Sequence, residues 1–134
     1  MIDIESEVFD AVASKLREVY PKLNISGEYV RAPSSFPHVS LIEMDNVAME
    51  STRTSTSNEN HALLMYEANV YSNKRTGKKS ECRAIATALD EAMQSIGFTR
   101  SVFTVVPNMN DATVYRIVAR YKAAVSKDKT IYRR

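Results

Sequence analysis

Two segments of this chain send alternate side chains to opposite faces, and that pattern most narrows what it can fold into. In Ala62–Tyr71, Leu64, Tyr66, Ala68 and Val70 fall on one face, and Leu63, Met65, Glu67 and Asn69 on the other. In Thr113–Val125, Tyr115, Ile117, Ala119, Tyr121, Ala123 and Val125 alternate against Arg116, Val118, Arg120 and Lys122. Successive side chains of a strand point to opposite sides, so each segment reads as a strand with one face in a core and the other polar or interfacial. The first belongs at the centre of a sheet. Between them, Cys82, Ile85, Leu89, Met93 and Ile96 recur at helical spacing. They predict a helix over Ser80–Ile96, with Gly97 as its stop.

The rest of the chain is read in the same way. Ile4, Val8, Val12 (or Phe9), Leu16 and Val19 predict an amphipathic helix over residues 4–19, which Pro21 ends. Asn24–Val30 reads as a short strand and the proline- and serine-containing Arg31–Pro37 as an irregular connection, followed by a strand at Val39–Met44. Val47–Asn60 is polar and threonine-bearing, with a turn-like cluster at Ser57–Asn60, and predicts a long hairpin whose outer half projects beyond the core. Phe98–Val106 is a further strand, separated from the last by the turn residues Pro107–Asp111. A chain of 134 residues, 44% hydrophobic and 25% charged, is sufficient for one core. The expected fold is α+β: a mainly antiparallel sheet of four or five strands, two helices on one face and a projecting β-hairpin. It forms a single domain, 1–134, with residues 126–134 as a basic tail.

The chemistry of the sequence points away from catalysis. No run approaches the roughly 18 apolar residues of a spanning helix, and the acidic start MIDIESEVFD is unlike a secretory signal. The expectation is a protein made in the cytoplasm without membrane attachment. One cysteine, Cys82, and two distant histidines, His38 and His61, supply neither a disulfide framework nor a zinc set, so neither metal nor cofactor is expected. Ser72–Ser80 lies between a strand and a helix, where a phosphate-binding loop belongs. Ser72, however, stands at the first glycine position and Lys79 where the magnesium-binding hydroxyl should be, which leaves a basic turn and a helix start. Cys82 lies among cations in the first helical turn but on the apolar stripe, which makes it a small buried residue. Asp90 and Glu91 point to different helix faces and read as solvent-facing charge.

Charge is unevenly placed within a net of +2. Asp3, Glu5, Glu7 and Asp10 crowd the start; Lys74, Arg75, Lys78, Lys79 and Arg83 cluster in mid-chain; Lys127, Lys129, Arg133 and Arg134 outweigh Asp128 at the end. Such separation suits head-to-tail contacts between identical subunits and equally an acidic partner. Arg116, Arg120 and Lys122 on one strand face, with the basic tail, also suit a sequence-independent nucleic-acid-binding module.

Val70-Tyr71-Ser72-Asn73-Lys74 with Gly77-Lys78-Lys79, Gly97-Phe98-Thr99-Arg100, Val106-Pro107-Asn108, Asp111-Ala112-Thr113-Val114-Tyr115-Arg116 and Ile131-Tyr132-Arg133 are similar to tail-completion, or tail-terminator, proteins of long-tailed bacteriophages and prophages. The resemblance covers about residues 62–134. It implies an α+β structural protein, not an enzyme, that forms a ring, usually a hexamer, at the head-proximal end of the tail tube. The ring ends tube polymerisation and provides the surface to which the filled head attaches. The implied partners are copies of itself, the tail-tube protein, a head–tail connector protein and, without sequence readout, DNA in the lumen; the implied location is the virion neck, after assembly in the host cytoplasm. Residues expected at subunit or partner interfaces are Arg53, Lys74, Arg75, Lys78, Lys79, Arg116, Arg120, Lys127, Lys129, Arg133 and Arg134. Head-completion and stopper proteins and other tail components are similar in size and equally non-catalytic, so another connector role fits the same features.

Overall fold

The computed structural model describes residues 1–30, 32–49, 60–107 and 111–133. Its elements, in chain order, are α1 (Glu5–Val19), β1 (Asn24–Ser26), β2 (His38–Ala48), β3 (His61–Ser72), α2 (Lys78–Ser95), β4 (Thr99–Val105), β5 (Tyr115–Ser126) and β6 (Ile131–Arg133). The six strands form one sheet in the order β1-β2-β3-β5-β4, with β6 also paired to β5. β1 runs parallel to β2 and the other pairs are antiparallel. The α+β class and the mainly antiparallel pairing follow the sequence, but the sheet has six strands where four or five were expected, and the β1–β2 pair makes it mixed.

The central pair is β3 and β5, and their register explains the alternation in the sequence. Tyr66 lies opposite Tyr121, Leu64 opposite Ala123, Ala68 opposite Ala119 and Val70 opposite Ile117. All of these are buried, together with Val8, Val12 and Leu16 of α1 and Ile85, Leu89 and Met93 of α2. Both helices therefore cover the same sheet face. Each buried aliphatic side chain contributes about 1.5–3 kcal/mol by leaving water. Val19, placed on the apolar stripe by its spacing, is 63% exposed because the last turn of α1 runs past the core.

Three departures have local causes. The strand expected at Asn24–Val30 ends at Ser26, where the serine hydroxyl accepts the Glu28 N–H (3.1 Å) and turns the chain out. The connection then passes the sheet at Tyr71, whose hydroxyl donates to the Val30 carbonyl (3.5 Å), and returns through the cis Phe36–Pro37 bond. β2 continues past Met44 to Ala48 because a bulge between Glu43 and Asp45 absorbs the polar residues without ending the pairing. The residues expected to form a tail instead close a hairpin: Ser126 N–H donates to Thr130 O (2.9 Å), Lys129 N–H to Ser126 O (2.8 Å), and β6 pairs with the end of β5. The β2–β3 hairpin is paired out to Ala48 and Ala62, and its expected projecting half, with Arg53, lies outside the described residues.

α2 begins and ends on glycine. Gly77 is its N-terminal cap at φ +86°. Gly97, at φ +107°, follows the helix; its N–H donates to Gln94 O (3.1 Å) and the Phe98 N–H to Met93 O (3.1 Å). Those two bonds are the Schellman pattern, and they drive Phe98 into the core against Tyr66, with ring centroids 5.3 Å apart in an edge-to-face arrangement.

Candidate assembly surfaces

The basic turn between β3 and α2 is built to start a helix. Ser72 Oγ donates to Glu81 Oε1 (2.7 Å), tying the end of the strand to the first helical turn. Lys78 Nζ donates to the Thr113 carbonyl (3.1 Å), anchoring the turn to the start of β5. A carboxylate thus already occupies the positive end of the helix dipole that a phosphate would seek. Lys74, Arg75 and Lys79 remain exposed on this turn.

The sheet face turned away from the helices carries the cations of β5, and its two arginines are engaged. Arg116 donates through Nε (2.9 Å) and Nη2 (2.7 Å) to Asn69 Oδ1, and its guanidinium lies 5.6 Å over the Tyr71 ring. Arg120 pairs with Glu67 at 3.4 Å. Lys122 is exposed beside Asp45, Val47, Leu63 and Met65, which with it line a shallow groove. Val47 is 48% and Tyr132 47% exposed on this same face, so its lower half presents apolar side chains beside Asp45 and Lys122. At its other end, the connection between β1 and β2 buries His38, Ser40, Asn69 and Tyr71. Burial holds the His38 imidazole below its ordinary pKa, because charging it there would forfeit hydration.

In the C-terminal segment, Lys129 pairs with Glu7 of α1 at 2.7 Å, which holds the Glu7 carboxyl below and the Lys129 ammonium above their usual values. Lys127 is exposed in the turn. Arg133 belongs to β6, and Arg134 lies outside the described residues. Within the expected interface set, Lys74, Arg75, Lys79 and Lys127 are exposed, while Lys78, Arg116, Arg120 and Lys129 hold partners within the fold, the last two with exposed side chains.

Three groups expected from the sequence have defined surroundings. Cys82 is fully buried; its thiol donates to Val70 O (3.2 Å), and burial pushes its pKa up to about 12, so it is protonated at neutral pH. Asp90, read as solvent-facing, is instead a hub: it accepts from Tyr121 Oη (2.8 Å), Arg100 (3.0 Å) and Gln94 (2.7 Å). Tyr66 opposes Tyr121 across the strands and sends its hydroxyl the other way, to Glu43 Oε1 (3.2 Å). Among the described residues, no three or more His, Cys, Asp or Glu side chains gather closely enough to hold a metal, and no helix is long and apolar enough to cross a membrane.

Glu43 marks a surface that sequence reasoning missed. It lies with Glu5, Asp10 and Glu28 along a cleft between α1 and the outer edge of β2. Burial raises the Glu43 carboxyl above the usual carboxylate range, and the negative charges of Asp3 and Glu5 add to the effect. Of the four acids along the cleft, Glu5 and Asp10 belong to the acidic start already marked in the sequence; Glu28 and Glu43 join them through the packing of α1 beside β2. Comparison with protein-family models finds no match for the chain, and comparison with curated proteins finds none either.

Proposed function

We propose that this chain is a structural subunit of the tail-terminator kind, which closes with copies of itself into a ring, ends tail-tube polymerisation and offers the head-attachment surface. The observation that carries an assembly role is the uncovered sheet face. Its arginines are bonded to Asn69 and Glu67, and Val47, Leu63, Met65 and Tyr132 leave apolar surface beside them. A protein partner can cover these arginines with their partners in place, whereas a phosphate backbone would have to compete for them. The resemblance of the motifs in residues 62–134 to tail-terminator proteins supports the specific reading.

Light scattering and electron microscopy of the purified protein test it, alone and with tail-tube protein. A ring of uniform mass is expected; a monomer under every condition, tail-tube protein included, would overturn the proposal. Deleting the gene in its phage separates termination, which predicts overlong tails, from another connector role, which predicts normal tails with unattached heads. A nucleic-acid-binding module predicts salt-sensitive DNA binding that is lost when residues 127–134 are removed.

A further inference from the structure

Resting on the ring reading, we infer that the ring closes edge to edge: the outer edge of β2 in one copy takes the outer edge of β4 in the next, with the acidic flank of α1 facing Arg83 of α2. β1 pairs with β2 only at His38–Ser40, so from Leu41 to Ala48 the outer edge of β2 has no neighbouring strand among the described residues. That stretch is long enough for the seven residues of β4, whose own outer edge is likewise open. An unpaired strand edge is a row of backbone donors and acceptors ready to pair with another chain.

The directions agree. β2 is antiparallel to β3, β3 to β5 and β5 to β4, so β2 and β4 run oppositely within one copy. Rotation about an axis along the strands brings β4 of the next copy beside β2 as an antiparallel neighbour, a heterologous contact of the kind that closes rings. The incoming strand would continue the row that β1 leaves at Ser40, as β6 continues the row that β4 leaves along β5.

The charges also agree. Beside β2 lie Glu5, Asp10, Glu28 and Glu43, and none of them pairs with a cation among the described residues. Beside β4, the guanidinium groups of Arg83 and Arg100 lie 5.8 Å and 5.7 Å from the Phe103 ring centre; Arg100 holds Asp90, while Arg83 has no carboxylate partner among the described residues. Each edge exposes an apolar side chain, Met44 at 51% and Val105 at 45%. Both strands also carry a register shift, between Glu43 and Asp45 and between Arg100 and Val102. Such bulges discourage indiscriminate pairing and leave the charge match to select the partner.

Cysteines at Met44→Cys and Thr104→Cys, in separate populations, test the contact, since buried Cys82 does not compete. After mixing, a short bis-maleimide should link Met44→Cys to Thr104→Cys chains, and the double variant should give a ladder ending at the ring's full size. In parallel, Asp10→Lys with Glu28→Lys, or Arg83→Glu alone, should raise the concentration needed for assembly about tenfold, and all three together should restore it. Circular dichroism checks that each variant is folded. Homotypic cross-links only, or an assembled ring without the heterotypic link, would overturn the edge contact while sparing the ring. A protein that stays monomeric even with tail-tube protein would overturn both.

Discussion

Replacing Gly97 with alanine should damage the fold at a point where backbone conformation and packing coincide. Gly97 has φ +107°, a region that costs a residue with a Cβ about 1–3 kcal/mol. The added Cβ would also sit 2.9 Å from Ile131 Cγ2, 3.4 Å from its Cβ and 3.6 Å from its carbonyl oxygen. Ile131 is β-branched and stiff at χ1, and its backbone is held in β6, so it cannot swing aside. Overpacking of this kind costs a further ~1–3 kcal/mol, or the hairpin end lifts and gives up the packing of Ile131. The expected total is about 2–6 kcal/mol, a fall in Tm of roughly 7–21 °C at this chain length.

Gly77→Ala is the matched control. Its φ is +86° but nothing lies within 4 Å of the new Cβ, so only the backbone cost applies. Urea unfolding of both variants should place Gly97→Ala below Gly77→Ala by about 1–3 kcal/mol at similar m. In an Ile131→Ala background the extra cost should shrink to within about 0.5 kcal/mol of the Gly77→Ala value. Equal losses for the two glycines, or an extra cost unchanged by Ile131→Ala, would refute the reasoning.

Asp90→Ala should cost about 1–3 kcal/mol, because it leaves the buried Tyr121 hydroxyl without its 2.8 Å acceptor; adding Tyr121→Phe should recover part of that, as denaturant titration of the double-mutant cycle would show. Since the folded-state pKa of His38 is depressed, stability is full above the ordinary imidazole value and is lost as pH falls from there through the folded pKa. Melting temperature should therefore decline as pH falls below the ordinary imidazole value of about 6.5, and His38→Gln should flatten that decline. Glu43 has the opposite sign: its raised carboxyl favours the fold when protonated, and that contribution is lost as pH rises through the folded pKa. Glu43→Gln should accordingly raise the melting temperature at neutral pH, with the gain vanishing near about pH 4. A reactivity assay with an aromatic disulfide at neutral pH should find Cys82 inert until the protein unfolds.

The local elements are written in the order of neighbouring residues. The two-residue alternation of β3 and β5, the helical spacing of α2 and the glycine after it are properties of neighbouring residues, and each element formed within a few residues of where those patterns placed it. Tertiary structure alone decided how those elements use their edges and charges. Nothing local marks Asn24–Ser26 as a parallel neighbour of His38–Ser40, or Ile131–Arg133 as a strand, because both are held by pairings formed only when the sheet assembles. Likewise, Arg116 and Arg120 read as free cations until the β3–β5 register sets Asn69 and Glu67 within their reach, and Asp90 reads as solvent-facing until α2 lays it against Tyr121. The acidic cleft follows the same rule: Glu5 and Asp10 come from α1, Glu28 from the turn after β1 and Glu43 from β2, and packing alone brings them to one edge.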